Sequence, residues 1–453
     1  MNVGLDLTNK SLDAEILSVA SVGSDLNRDT YYKAVLHAET DMFITHITTV
    51  DINRDFNNGR TDKVTIIFMM PLGDFVYHVL PHKNNLIMTL ENFNIGMHTK
   101  EDMRATIVTM DESISSGKLQ NDTMENLNKH LTKVEMQLTS LTYLSMRGKM
   151  VEGVFKEATV EDVLISEIGS GINKFSSLFG LSSGGLDIVP PDNTRKYDHI
   201  IIPHHKNVSL LDLPKYLQTS EYGVYNGDIG FYLQAYNNID KMHIYPLYRN
   251  NLLSFRQDKL YVISVASAVM AGIDNTYAMD GNLLKILVLA GEKPMDGEDK
   301  FHSMGTSVNA IESDSIATRQ FEISKDGMKI SADNMLRRQT HKALESKDYT
   351  VKNSEITNNM YKHRSEILKG DGVLVNVTWN TSNSRLITPM MPVIFIEEVG
   401  GKISKREGMV QAVYVLADNV QKRETTSLTL FLENGTTKDK NKQEFGSILS
   451  ELF

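Results

Sequence analysis

With 453 residues the chain is long enough for two to four domains, and 41% hydrophobic against 23% charged residues excludes wholesale disorder. A formal net charge of −10 gives no electrostatic reason to expect nucleic-acid binding, which draws on a basic face, and no long Lys/Arg run offsets it. The absence of cysteine excludes disulfides and thiolate metal sites and fits assembly in a reducing cytosol.

The first ten residues, MNVGLDLTNK, lack a basic region followed by an apolar core, so no secretion leader is expected. Apolar runs such as Leu283–Ala290 are too short to span a bilayer.

Residues 42–110 read as β. Val64, Ile66, Phe68 and Met70 line one face of a strand. Ile67 and Met69 make its other face partly apolar, so cover on both sides is expected. Asn57-Asn58-Gly59 is a turn signal upstream of it. Pro71-Leu72-Gly73-Asp74 is a second one, leading to Phe75–Leu80 within the same β block. Leu86, Met88 and Leu90 alternate with polar residues, with Ile87 the exception. Residues 111–132 read as a polar, exposed excursion, and Val134, Met136 and Leu138 resume the period of two.

Thr159-Val160-Glu161-Asp162 opens a helix. Thr159 caps free N–H groups, the two acids favour the positive helix end, and Gly169 and Gly171 are expected to end it. Residues 180–194, with Ser182-Ser183-Gly184-Gly185 and Pro190-Pro191, read as a linker or long loop. Residues 197–248 have a compact α/β order. Ile200–Ile202 run into Pro203. A helix near 210–219 presents Leu210, Leu213 and Leu217, with Pro214 tolerable only in its first turn. Two aromatic strands follow, around Phe231–Leu233 and Met242–Tyr245.

Leu260–Val265 and Leu283–Ala290 return to strands. Residues 296–317 read as a long loop, and a short helix is expected near Asp333–Leu344. The last β block, 371–433, holds Val373–Trp379, Val393–Glu397, Val410–Leu416 and Ser427–Leu432. A polar tail ends in Phe445, Ile448, Leu449, Leu452 and Phe453.

No candidate chemistry meets its geometric demands. Gly180-Leu181-Ser182-Ser183-Gly184 fits G-x-S-x-G, but that motif needs a strand before the serine and a helix after it, and here a helix-like segment precedes. His199, His204 and His205 cluster in one short segment, yet neighbours on a strand point to opposite faces and cannot readily share an ion. The acid pairs Asp111-Glu112 and Glu397-Glu398 read as solvated charges. Gly169-Ser170-Gly171 lacks the Lys-Ser/Thr of a phosphate loop. No catalytic, cofactor or metal residue is therefore assigned. Alanine at Ser182, His204 or His205 is expected to abolish no turnover.

Three stretches carry a resemblance: Thr61–Phe68 with Gly73–Tyr77 and Pro81–Leu90; Tyr197–Tyr248; and Pro389–Pro392, Gly408-Met409-Val410 and Thr425–Leu432. Together they resemble the baseplate hub proteins of contractile-tailed bacteriophages. The resemblance implies a β-rich α+β fold with two tube-like β-barrel domains and α/β middle regions. The expected division is 1–155, a first tube-like domain; 156–258, an α/β middle domain; 259–345, a second middle region with a long loop; and 346–453, a C-terminal tube-like domain. The end blocks are expected to share one topology and to form separate sheets rather than one. The resemblance further implies a non-enzymatic virion protein, assembled in the host cytoplasm as a homotrimer whose pseudo-sixfold ring joins the tail tube protein to the central spike protein. Baseplate wedge or tape-measure proteins would be neighbours, and DNA would only transit an acidic or neutral channel. A distal tail or tail-tip protein is the alternative, and a tail-associated hydrolase a more remote one.

Overall fold

The computed structural model describes residues 16–21, 29–94, 97–109, 127–220, 222–248, 258–270, 273, 275–290, 307–311, 318–324, 327–333, 349–350, 372–399 and 402–433. Strands dominate, and the fold is β-rich α+β.

The first block contains β1 (Tyr31–His37), β2 (Asp41–Ile44), β3 (His46–Asp55), β4 (Lys63–Pro71), β5 (Ile87–Asn94), β6 (Met97–Thr109) and β7 (Leu131–Ser140). Only Thr45 separates β2 from β3, so the two form one bent strand that changes partner midway. β2 pairs with β1, and β3 pairs with β4. The remaining ladders run β4–β7, β7–β6, β6–β5 and β5–β1, all antiparallel. The pairing thus closes on itself as a six-stranded ring. Its interior is the alternating set expected from the sequence. Val64, Ile66, Phe68, Met88, Val134, Met136 and Leu138 are all buried, while Ile67 and Met69 on the outer face are half-buried. The turn at Asn57 and Asn58 is an Asx turn, with Asp55 Oδ1 accepting both backbone N–H groups at 2.9 Å. The β reading of Phe75–Leu80 is corrected, because Leu72–His82 winds as successive helical turns. Phe75 and Val79 are buried while Tyr77 between them is 39% exposed, whereas a strand would put all three on one face.

The middle region begins with α1 (Leu141–Gly148) and β8 (Gly153–Ala158). A continuous helical run, α2, follows through Val160–Leu164, Ile165–Gly169 and Ser170–Leu178. Then come β9 (Ser182–Ile188), β10 (Tyr197–Ile202), α3 (Leu213–Thr219), β11 (Ile229–Tyr236) and β12 (Ile239–Pro246). Thr159 caps α2 reciprocally: its Oγ1 accepts from Asp162 N at 3.1 Å, and Asp162 Oδ2 accepts from Thr159 N at 2.9 Å. The bonds that Asp162 Oδ2 accepts from the Thr159 backbone N–H and, at 2.7 Å, from its hydroxyl hold the Asp162 carboxyl below the usual carboxylate range. Thr159→Ala is expected to cost about 1 kcal/mol, read as faster amide exchange in the first turn of α2.

Gly169 and Gly171 do not stop this helix. Gly171 is there for contact, since a Cβ would come within 2.2 Å of Leu210 Cδ2. The loop expected at 180–194 contains β9, which pairs in parallel with β12. α3 starts late, with Pro214 in its first turn, as the sequence requires. β11 and β12 form a hairpin whose turn, Asn237-Asn238, takes positive φ at both residues, the conformation that two-residue hairpin turns demand.

The second block adds β13 (Lys259–Val265), β14 (Tyr277–Asp280) and β15 (Leu283–Ala290). A separate four-stranded sheet comprises β16 (Ser307–Ile311), β17 (Thr318–Ser324), β18 (Gly327–Asp333) and β19 (Tyr349–Thr350). Four long strands complete the block: β20 (Gly372–Asn380), β21 (Pro392–Val399), β22 (Lys402–Asp418) and β23 (Arg423–Glu433). Part of the long loop expected at 296–317 is therefore strand β16. The Asp111-Glu112 pair, most of the helix expected near Asp333–Leu344, and the apolar tail lie outside the described residues.

A second ring closes here through β13–β15, β15–β20, β20–β23, β23–β22, β22–β21 and β21–β13. Numbered along the chain, with β2/β3 counted once and β14 as a flank of β15, both rings have the circular order 1-2-3-6-5-4. They differ only in strand 1. β13 runs parallel to both neighbours, whereas β1 is antiparallel to both of its own. Two domain expectations are corrected. Residues 259–290, placed in the second middle region, supply strands 1 and 2 of the C-terminal ring. The end blocks are also not separate sheets. Ala412–Asp418 of β22 pairs antiparallel with Thr49–Asp55 of β3, so one 14-stranded sheet runs through both rings. β22 is long enough to serve β21 with its first half and β3 with its second.

A main apolar core runs through both rings and the middle region. A smaller one covers the outer face of β13 and β15, where Val19 packs with Tyr261, Ile263 and Leu287. This explains the near-continuous apolar run at Leu260–Val265, since a strand buried on both faces has no polar side. Among the described residues no helix is long and apolar enough to cross a membrane.

Candidate functional site: the junction of the two rings

The densest polar chemistry in the molecule is buried where the two rings meet the middle hairpin. Arg54, on the apolar register of β3 after Val50 and Ile52, is 1% exposed. Its Nε donates to Asp62 Oδ2 at 3.0 Å and its Nη1 to the Ser384 carbonyl at 2.9 Å. Tyr232 of β11 donates to the other Asp62 oxygen at 2.8 Å. Glu101 of β6 is ion-paired with Arg385, and both are buried. Glu424 of β23 accepts from Ser384 N at 2.8 Å and from Ser382 Oγ at 3.1 Å, and Tyr32 of β1 reaches its second oxygen at 3.4 Å. The ion pairs and the two tyrosine hydroxyls thus tie together β1, β3, β6, β11, β23 and the 382–385 turn.

The segment that makes these contacts, 382–389, lies between two residues in the left-handed region, Thr381 and Met390. A β-branched residue there is strained, so the surrounding bonds must hold it. Burial pushes the Glu101 carboxyl up, against the pull of Arg385. Burial also works against the Arg385 cation, but the nearby acids, Glu101 foremost, lift it further. Burial raises the Tyr32 and Tyr232 hydroxyls, with Glu424 adding at Tyr32 and Asp62 at Tyr232. These groups are sequestered and paired across three parts of the chain, which suits holding those parts in fixed relation, although Glu101 Oε2, Arg385 Nε and Ser384 Oγ are buried without a hydrogen-bond partner.

A second polar chain crosses the first ring. His37 Nδ1 lies 2.7 Å from Asp41 Oδ1, and His37 Nε2 lies 2.8 Å from Thr89 Oγ1. The order Asp–His–Thr is that of a hydrolytic triad. However, the Thr89 hydroxyl donates to Asp102 Oδ1 at 2.5 Å and is buried, so its proton is committed away from the imidazole and a substrate has no approach. Asp102 N in turn donates to Asn238 Oδ1 at 3.0 Å, and Lys100 N to Asn237 Oδ1 at 3.3 Å. The hairpin tip therefore continues the edge of β6 beyond the end of its ladder with β7.

Of the residues weighed from the sequence, Ser182 alone adjoins one of these clusters, its N–H donating to the Asn238 carbonyl at 2.7 Å. Ser182 opens β9, and its neighbour Ser183 donates to Asn173 at 2.5 Å. His199 is exposed on β10, while His204 and His205 occupy a short turn after it, with His204 against Glu152 on the surface. Glu397 pairs with Arg406 across the β21–β22 ladder. Ser170 lies inside α2. Among the described residues no three His, Asp or Glu side chains are placed to hold one metal ion. No motif marks the junction residues, although the sequence carries a signal for them. Arg54 follows Val50 and Ile52, Glu101 precedes Met103 and Ala105, and Glu424 precedes Thr426 and Leu428, each at the period of two on the buried face.

Comparison with known proteins gives a phage family. The sequence profile of the bacteriophage PBS1 gene 109 protein family matches residues 33–275, more than half of the chain. Among solved structures, the chain is similar to the tail protein from Neisseria meningitidis MC58, at 10% identity and a TM-score of 0.43 over 88% of this chain and 96% of that one. It is also similar to the 43 kDa tail protein of prophage MuSo2 from Shewanella oneidensis, at 11% identity and 0.45 over 89% and 96%. A third is the E. coli c3393 protein, a component of the type VI secretion system, at 7% identity and 0.44 over 88% and 77%. No curated protein matches the chain.

Proposed function

Because the chain belongs to the bacteriophage PBS1 gene 109 protein family, we propose that it is a non-enzymatic virion component, a baseplate hub that assembles as a trimer between tail tube and central spike. The observation that carries this reading is the single strand order repeated in both rings and sewn together through β3 and β22. Two rings of one design in each chain give six similar positions from three chains. That arrangement lets one face meet a sixfold tail tube protein and the other a threefold spike protein. Baseplate wedge or tape-measure proteins would lie around it.

The continuous sheet also offers a wall for a conduit. Its outer face runs across the seam through Thr378, Ser427, Tyr414 and Asn53 in one row. Leu416, Asp51, Thr65 and Gln137 form the next. Hydroxyl and amide groups outnumber charges in these rows, as suits a surface past which DNA slides without being held, since each neutralised phosphate would add affinity.

Sedimentation of the full chain at micromolar concentration, with particle imaging, tests the proposal. A threefold ring with an open channel is expected, and salt-sensitive DNA binding is not. A monomer throughout that range, or a compact particle without a channel, would overturn the hub reading.

A further inference from the structure

We infer that β8 is an open sheet edge that takes up an extended strand of another protein, one carrying an acidic and an aliphatic residue two positions apart. β8 and β10 form a two-stranded antiparallel sheet, with Ile201 opposite Val154 and His199 opposite Lys156. Its inner face is buried at Ile200 and Ile202. Its outer face is open, with Val154 54% exposed and Ile201 48%. This edge belongs to a single copy and does not depend on closure of a trimer.

Backbone bonds identify the free side. The Ile201 N–H donates to the Tyr222 hydroxyl at 2.9 Å, and the Tyr216 hydroxyl donates to the Ile201 carbonyl at 3.2 Å. Both backbone groups of Ile201 therefore point away from β8, so Ile201 and Val154 are a non-hydrogen-bonded pair. By the period of two, His199 and Lys156 are another. The N–H and C=O groups of Val154 and Lys156 thus point away from β10, along the far side of β8. Two tyrosines close the edge of β10 at Ile201, whereas the edge of β8 faces solvent. Gly153, Val154, Lys156 and Glu157 are all exposed, and a Cβ on Gly153 would meet nothing within 4 Å. A row of outward N–H and C=O groups is a template for one more strand.

Charge selects the occupant. The acids beside the edge are already engaged, Glu152 with His204 and Glu157 with Lys196 at 3.4 Å. Asp198 falls on the register of the buried Ile200 and Ile202, away from the outer face. Among the described residues none forms an ion pair with Lys156, and its cross-strand neighbour is a histidine. A second copy of β8 is a poor fit. Antiparallel pairing about Phe155 would set the lysines of the two copies diagonally adjacent on one face, each opposite a valine. A lysine on an edge works against pairing with its own kind in this way. A strand with an acid opposite Lys156 and an aliphatic side chain opposite Val154 answers both positions, and it extends the Val154–Ile201 row to three apolar side chains. Bound antiparallel, it reads acid-x-aliphatic from its N-terminal end.

Amide exchange of the full chain, read by mass spectrometry with a blocked Thr-Thr-Glu-Thr-Val-Thr-Thr peptide at millimolar concentration, tests the proposal. The amides of Val154 and Lys156 are expected to slow. The same peptide with lysine in place of its glutamate should bind more weakly, on the order of fivefold. Lys156→Glu, a change at an exposed position, should reverse that preference. N-methylation of the peptide's glutamate and valine removes the N–H groups that would bond to β8 and should abolish the protection, whereas N-methylation of the threonine between them should spare it. No slowing at Val154 and Lys156 overturns the proposal. So does equal binding of the two peptides by both the parent and Lys156→Glu, or protection that survives methylation of the glutamate and valine. Protection already present without peptide, together with a dimer in sedimentation that Lys156→Glu dissociates, would give the edge to a second copy instead.

Discussion

Arg385→Ala is expected to destabilise the protein by about 3–5 kcal/mol, the usual result of removing one partner of a buried ion pair. Glu101 would keep its charge in a site already hostile to it, with Arg54 as the nearest remaining cation. The loss should depend on pH. Burial already raises the Glu101 carboxyl, and removing Arg385 raises it further. An acid whose folded value lies above its unfolded one is favoured by protonation. The deficit of the variant should therefore be full above the raised folded value and shrink as pH falls through it. The relief should be complete below the ordinary value of 4.5. Glu101→Gln with Arg385→Met removes both charges and should restore most of the stability, because the isolated buried ion and not the missing pair is the costly species. Trp379, the one tryptophan of the chain and fully buried in the second ring, reports the unfolding by fluorescence during denaturant titration. Equal losses in the single and double variants would place the effect in packing around Arg385. A pH-independent loss would show that Glu101 is not the group left stranded.

The junction also marks the boundary of what the sequence states openly. Periodicity located the strands of both end blocks, because Val64–Met70, Val134–Leu138 and Ser427–Leu432 alternate against one buried face. It did not reveal pairing direction. Nothing in Leu260–Val265 says that β13 runs parallel to its neighbours, and nothing in the sequence joins β13 and β15 to the strands of 372–433. Glycine misled twice. At Gly171 the missing Cβ serves contact with Leu210, and the helix continues. In β9 the Ser-Ser-Gly-Gly run has poor strand propensity, yet pairing with β12 holds it extended. The buried ions were legible in principle, as charges on an apolar register. Which acid meets which base was not, since Glu101 and Arg385 are 284 residues apart.

Gly408→Val tests the seam from the backbone side and is expected to be among the most damaging single changes available. Gly408 sits in β22 where pairing passes from β21 to β23, opposite Leu432 and just before the register shift at Val410/Ala412. A Cβ at this position would stand 1.9 Å from the Phe431 carbonyl oxygen, 2.9 Å from its carbon and 3.0 Å from Leu432 Cα. All three are backbone atoms of the neighbouring strand, so no rotamer change relieves the clash. Either β22 and β23 part locally or the side chain forces a new register. A loss above about 4 kcal/mol is expected, the range reserved for strain or overpacking that cannot relax. The damage should also be directional. β22 closes the second ring and carries the contact to β3, so amides of β22, β23 and the adjoining part of β3 should lose exchange protection first. β5, β6 and β7, none of which pairs with β3, should keep theirs longest. Gly148, at the end of α1, is the matched control. A Cβ there meets nothing within 4 Å and no positive φ is required, so Gly148→Ala should be neutral or stabilise by up to about 1 kcal/mol. If Gly408→Val exchanges like the parent in β22 and β23, the close approach of the two strands is wrong. If protection falls evenly in both rings, they unfold as one unit and the seam at β3 and β22 is as strong as the rings it joins.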